Sequence, residues 1–72
     1  MVDLTKIGDR LKMFRQNEGL TLRKLAEETG VHWMTLSNAE NNHSIPNLFN
    51  LLILAEYYGV TVSELIGEED KE

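Results

Sequence analysis

A short turn around Gly30 separates two helix-forming segments, and it limits the fold more than any other feature of the sequence. Thr21 is a suitable N-cap for the first segment, in which Leu22 and Leu25 have the spacing of inward-facing residues. The second segment runs from about residue 32 to residue 41. A link this short forces the two helices to cross steeply, which is the geometry of a helix-turn-helix.

Three further helices are marked by capping residues and by apolar spacings of three and four. The first helix ends at Gly19, and Asp3 or Thr5 can cap its start. A fourth helix is expected over residues 47–58, and residues 61–64 have the capping-box pattern that opens a fifth. The apolar stripe of the first helix consists of Leu4, Ile7, Leu11 and Phe14. The sequence therefore predicts an all-α, five-helix fold.

We expect one domain over residues 1–67 and a flexible acidic tail at residues 68–72. A chain of 72 residues buries only about 60% of its unfolded surface, so dimerisation would add stability. The sequence has no cysteine and shows neither a signal peptide nor an apolar run long enough to span a membrane. A cytoplasmic protein is therefore expected.

Charge is distributed unevenly along the chain, whose formal net charge is −5. Residues 1–24 carry six cations and three anions, whereas residues 25–67 carry five anions and no cation. This asymmetry suits a basic DNA-binding face opposed by an acidic, solubilising one. A solvated acidic protein with a few scattered cations would have the same distribution.

The chain offers little for catalysis. Its only histidines are His32 and His43, and it contains neither a glycine-rich phosphate loop nor a His-Glu-X-X-His motif. We therefore do not expect an enzyme, and we expect no metal, no cofactor and no small-molecule substrate.

Several segments resemble the Cro/repressor-type helix-turn-helix family, also called the xenobiotic-response-element family. The similar segments are IGDRLK (7–12) followed by Arg15, GLTLRKLAEETGV (19–31), LSNAEN (36–41), PNLFNLLILA (46–55) and GVTVSEL (59–65). Together they cover residues 4–66 in the expected order. The resemblance implies a lambda-repressor-like domain, with the helix-turn-helix at helices two and three, that binds double-stranded DNA and is usually dimeric.

By this resemblance, the exposed face of the third helix reads bases in the major groove. Asn38 can make paired hydrogen bonds to adenine through its amide. Trp33 and Met34 stand where the family often has polar residues. They can pack against thymine methyls, fold back onto the domain, or contact a protein partner. The expected base-reading residues are His32, Trp33, Met34, Thr35 and Asn38.

The start of helix two and the loop after helix three are expected to contact phosphates, which positions a protein without reading sequence. Leu22 stands where the family commonly has glutamine, and Asn42-His43 stands where it often has glycine with lysine or arginine. The alternative for Arg23 and Lys24 is ordinary solvated helix charge. The expected phosphate contacts are Thr21, Arg23, Asn41, Asn42, His43 and Ser44.

Arg10 and Glu40 are expected, by the same resemblance, to form a structural ion pair between helices one and three. Breaking one partner of such a pair would cost about 3–5 kcal/mol. The other cations of helix one are expected either to serve DNA or simply to be solvated. They are Lys6, Lys12 and Arg15.

The fourth helix is more apolar than one buried face requires. Phe49, Ile53 and Tyr57 recur at spacing four, and we expect them to form a dimer or partner surface. Alternatively, the whole helix is buried beneath the tail or the fifth helix. The residues expected to face the core are Leu48, Leu51, Leu52 and Ala55, with Leu54 and Tyr58 as further candidates.

The sequence therefore favours a transcriptional regulator, and more specifically a repressor that binds a pseudo-palindromic operator as a homodimer. The alternative is a protein-interaction module, or an antitoxin, that keeps the helix-turn-helix fold and binds DNA weakly. The net acidity motivates this alternative, as do the apolar side chains of Leu22, Trp33 and Met34.

Overall fold

The computed structural model describes residues 6–68, and this part of the chain folds into five helices without a strand. The helices are α1 (Ile7–Asn17), α2 (Leu22–Thr29), α3 (Trp33–Glu40), α4 (Leu48–Tyr58) and α5 (Val62–Ile66). α1 packs against α3 and α5, α2 packs against α3 and α4, and α4 packs against α5. The expected all-α, five-helix fold is confirmed.

Side-chain caps fix where α2, α4 and α5 begin. Thr21 Oγ1 accepts a hydrogen bond from the Lys24 amide at 3.0 Å, and Asn47 Oδ1 accepts one from the Asn50 amide at 2.8 Å. Residues 61–64 form a complete capping box at the start of α5. Such caps satisfy amides that a helix leaves without a partner. They confirm the three helix starts that the sequence predicts.

Glycine ends α2, because Gly30 has the left-handed backbone conformation (φ 80°) that other residues adopt at a cost. Asn42 has the same conformation (φ 61°) beyond the end of α3, and asparagine tolerates it better than most residues. The expected caps of the first helix, Asp3 and Thr5, and residues 69–72 of the expected tail lie outside the described residues.

The core lies between all five helices. Leu25, Leu54 and Leu65 are its most completely buried large side chains, so α2, α4 and α5 meet at its centre. The other buried apolar residues are Ile7, Leu11, Val31, Leu36, Ala39, Leu51 and Ala55. Ten buried apolar side chains make a small core, so polar contacts that join the helices matter more here than in a large domain.

The rotation of α4 differs in part from the expectation. Leu51, Leu54 and Ala55 are buried, but Leu48 and Leu52 are 65% and 49% exposed, so their expected core positions are wrong. The buried residues follow the helical spacing of three and four that one inward face requires. Because α4 is apolar on nearly every side, its sequence does not specify which face turns inward.

Arg15, rather than Arg10, forms the ion pair with Glu40. Arg15 donates from Nε and Nη2 to the two Glu40 carboxylate oxygens at 2.8 and 2.9 Å, and Nη1 donates to the Leu20 carbonyl at 2.7 Å. The side chains of the pair are only 12% and 6% exposed, and the hydrogen bond to Glu40 raises the pKa of Arg15. This two-pronged contact fastens the last residue of α3 to α1.

Arg10 instead contacts α5. Its Nη2 and Nε donate to the carbonyls of Glu64 and Leu65 at 2.6 and 3.3 Å, where a cation also interacts favourably with the helix dipole. Arg10 and Arg15 are five positions apart, which places them about 140° apart around an α-helix. The two arginines therefore cannot both face α3, and the expected pairing of Arg10 with Glu40 is wrong.

The start of α1 lies very close to the end of α3. A methyl group at Gly8 would clash with the Ala39 carbonyl oxygen, so any larger residue there would require a shift of backbone. The Gly8 amide donates to Asn42 Oδ1 at 3.0 Å. Asn42 thus supplies a partner for an amide in the first turn of α1, where amides have none within the helix. These contacts and the Arg15–Glu40 pair join α1 to α3.

Tyr58 is packed against Phe14, with ring centroids 5.2 Å apart. Its hydroxyl is buried and has no hydrogen-bond partner among residues 6–68. Burial, followed by the nearby negative charge of Glu40, raises the pKa of Tyr58 to about 12. The folded protein therefore favours the neutral phenol.

We predict that Glu40→Gln lowers the free energy of unfolding by about 3 kcal/mol, because it leaves the Arg15 guanidinium buried without its counter-charge. Urea unfolding followed by circular dichroism measures this loss. Glu28→Gln is the matched control, since the exposed Lys24–Glu28 pair, at 3.4 Å, is worth less than about 1 kcal/mol. Equal effects of the two substitutions would contradict a structural role for the buried pair.

We predict that alkaline destabilisation depends on Tyr58. Its pKa is higher in the folded protein than the ordinary value of 10.0. The stability that the neutral phenol contributes is therefore complete below about pH 10 and is lost as the pH rises towards 12. Tyr58→Phe should therefore lose less stability than the native chain between about pH 10 and 12 in urea unfolding. If Tyr58→Phe lost as much stability as the native chain over this range, the linkage would be absent.

Candidate nucleic-acid interface

The turn between α2 and α3 spans residues 30–32 and is fixed by packing and hydrogen bonds. Val31 is buried at 4% exposure. The Thr29 hydroxyl donates to the Leu25 carbonyl at 2.8 Å and accepts from the Val31 amide at 3.2 Å. Because Val31 is anchored in the core and its amide is bound by Thr29, the turn holds the start of α3 at a defined place relative to α2.

His32 caps α3 with its imidazole ring. Nδ1 accepts a hydrogen bond from the Met34 amide at 3.1 Å, so the proton of the neutral ring is assigned to Nε2. The Trp33 ring lies stacked beside the His32 ring, with centroids 6.4 Å apart. The first residues of α3 thus offer an N–H donor next to an aromatic surface.

α3 has one buried face and one accessible face. Leu36, Ala39 and Glu40 are buried, whereas Trp33 and Met34 are 49% and 47% exposed. His32 is exposed, and Thr35 and Asn38 are half-buried. The five residues predicted to read bases therefore lie together on the accessible side of one short helix.

Trp33 does not fold into the core but lies beside α2. Together with Arg23 it borders two adjoining shallow grooves between α2 and α3. Thr21 and Leu22 complete the first groove. The second is completed by Ala26, Glu27, Gly30, Val31 and His32. Of the residues expected to contact phosphate, Arg23 and Thr21 thus lie next to the face expected to read bases.

The loop after α3 makes more hydrogen bonds within the domain than expected. The backbone amides of Asn41, Asn42, His43 and Ser44 all donate to carbonyls in the last turns of α3. The side chain of Asn42 is bound to the Gly8 amide. The loop therefore has exposed side chains at Asn41, His43 and Ser44 for an external partner, whereas its four amides are already hydrogen-bonded.

An accessible helix held behind a three-residue turn, with the helix before it lying across its start, defines a helix-turn-helix domain. Among residues 6–68, no three His, Asp or Glu side chains lie close enough together to hold a metal ion. No helix in the same range is long and apolar enough to cross a membrane.

Comparison with known proteins gives the same class. The family model for the helix-turn-helix matches residues 11–65. The HTH-type transcriptional regulator PuuR of Escherichia coli (strain K12) is 34% identical over 64 residues, or 89% of this chain and 35% of PuuR. The immunity repressor protein of Bacillus phage phi105 is 33% identical over 63 residues, or 88% of this chain and 44% of the repressor.

A solved structure agrees with these matches. The DNA-binding domain of S. venezulae BldD superposes with a TM-score of 0.75 at 26% identity, covering 88% of this chain and 94% of that domain. This chain therefore belongs to the Cro/repressor-type helix-turn-helix family of DNA-binding transcriptional regulators. It spans less than half the length of PuuR and of the phage repressor.

Sequence reasoning missed two residues that support this site. From the sequence, Arg15 is expected among the cations that serve DNA or are solvated, and the Asn42 side chain is expected to contact phosphate. Both instead hold the end of α3 against α1. An asparagine just after the end of a helix indicates a left-handed backbone conformation, which Asn42 has. Nothing in the neighbouring sequence indicates that its side chain would bind the Gly8 amide.

Proposed function

We propose that this chain is a sequence-specific transcriptional repressor that binds duplex DNA in the cytoplasm as a homodimer. The accessible face of α3 carries the proposal, because it groups Asn38 with His32, Trp33, Met34 and Thr35 on a helix whose other face is fastened to the domain. A helix of this size fits the major groove, where base edges are distinguishable.

Phosphate contacts would come from both sides of α3. On one side, Arg23 and the Thr21 hydroxyl lie at the start of α2, next to Trp33. On the other side, the side chains of Asn41, His43 and Ser44 are accessible in the loop. Contacts to the phosphates on both walls of the groove would set the orientation of α3 without reading sequence.

The outer face of α4 supports a dimer of this chain. Phe49, Ile53 and Tyr57 are 77%, 37% and 38% exposed, and Leu48 and Leu52 extend the same apolar surface. Glu56 is the only charged residue in α4. A mostly apolar face can pack against its own copy across a two-fold axis. Glu56 is exposed and lies one helical turn after Leu52, so such an interface would have to leave its carboxylate in contact with solvent.

A symmetric pair of such domains would place its two recognition helices about 34 Å apart, which matches one turn of DNA and a pseudo-palindromic operator. Repression follows if this operator overlaps a promoter. The name of one relative, the immunity repressor protein of Bacillus phage phi105, supports this direction of regulation.

We predict that selection from random duplexes enriches a palindrome and that Asn38→Ala relaxes it. Loss of a paired amide contact should reduce discrimination at one base pair by about 1–3 kcal/mol.

We predict that Arg23→Ala weakens binding to all duplexes alike. It should lower the slope of log affinity against log salt concentration by about one. Fluorescence titration at two salt concentrations measures both effects, and Lys12→Ala, on α1, is the control.

Failure of the native chain to enrich any duplex would contradict this function. Together with weak, sequence-independent binding, it would favour the protein-interaction module, for which the acidic net charge of −5 and the exposed Trp33 and Met34 are the supporting features.

We predict that Ile53→Glu converts a dimer into a monomer, because it would place two like charges within a desolvated interface. Light scattering coupled to size exclusion measures the mass. The matched control is Met13→Glu, an exposed apolar position on α1 (43%), which should leave the dimer intact. A dimer that survives Ile53→Glu would place the interface elsewhere.

A further inference from the structure

The accessible face of α3 has no cationic side chain. Glu40 is the only charged residue in the helix, and it is buried in its pair with Arg15. The commonest specific contact to a guanine is a paired hydrogen bond from arginine or lysine to O6 and N7. α3 therefore lacks the side chains that most often select a G·C pair.

The arginines of the other helices do not compensate for this lack. Residues 6–68 contain six cations, all located before residue 25. Arg15 is bound to Glu40 and to the Leu20 carbonyl. Arg10 contacts the end of α5, and Arg23 lies on α2, the helix that crosses above the DNA backbone in this geometry.

The groups that α3 does present suit thymine and adenine. Trp33 and Met34 are adjacent and each about half exposed, and each offers an apolar surface to which a thymine C5-methyl can pack. Asn38 lies one helical turn after Met34, at the spacing that places two side chains on the same face. Its amide can accept from N6 and donate to N7 of adenine.

We infer that α3 reads a run of A·T pairs, with thymine methyls against Met34 and Trp33 and an adenine paired to Asn38. This inference rests on the proposed function. It adds that base recognition here is mainly a contact with methyl groups, with one amide fixing the register, and that α3 reads no guanine through an arginine or a lysine.

The test replaces single thymines in the selected half-site with deoxyuridine, which removes the C5-methyl and keeps every hydrogen-bonding group of the base. Burial of one methyl-sized group corresponds to about a fourfold change in affinity. We expect a loss of about that size at one or two thymines for the full native chain. With Met34→Ala or Trp33→Ala, the substitution at the matching thymine should have little further effect.

Met13→Ala, at an exposed methionine on another face of the domain, is the control and should retain the native response to deoxyuridine. Circular dichroism of each variant verifies that its helices are intact. Asn38→Ala should weaken binding between about 5-fold and 150-fold and should remove the preference for one adenine.

The outcomes separate the inference from the proposed function. The inference would be overturned, with DNA binding established, by two results together. The selected half-site would have guanines at the positions that respond to Met34→Ala or Asn38→Ala, and binding would not respond to deoxyuridine. Failure to select any duplex would overturn the proposed function, and the inference with it. A response to deoxyuridine that Met34→Ala and Trp33→Ala both leave unchanged would also overturn the inference, because another residue would then contact the methyl group.

Discussion

The buried pair of Arg15 and Glu40 is the interaction on which the accessible helix depends. α3 contributes only Leu36 and Ala39 to the apolar core, which is little for a helix that must keep its opposite face free. The pair adds two short charge-assisted hydrogen bonds at the last residue of α3. A planar guanidinium bound to both carboxylate oxygens fixes orientation as well as distance. It therefore resists rotation of α3 about its own axis.

Each end of α3 is held by a different contact. At the start, His32 caps the helix and Val31 anchors the turn in the core. At the end, the Asn42 side chain binds the Gly8 amide, and only glycine fits where α1 approaches this closely. A base-reading surface gains specificity when its side chains start from a fixed backbone, because less conformational freedom is then lost on binding.

Part of the positive charge of the chain is used inside the domain. Arg10 and Arg15 fasten α1 to α5 and to α3, so two of the six cations in residues 6–68 do not lie where a phosphate could bind them fully. The overall charge of −5 also opposes a polyanion at long range. Affinity for DNA would then depend more on groove contacts than on general attraction. The apolar residues at the start of α3 fit that dependence.

The sequence by itself determined the five helices and their ends, because caps such as Thr21 and left-handed glycines such as Gly30 act within one turn of the chain. With the family resemblance, it also identified the residues on the accessible face of α3. Only the tertiary structure decided that Arg15 binds Glu40, that Asn42 serves α1, and that α4 leaves an apolar face outside. Those outcomes depend on how helices rotate against one another, and neither a set of similar arginines nor an apolar helix specifies that rotation locally.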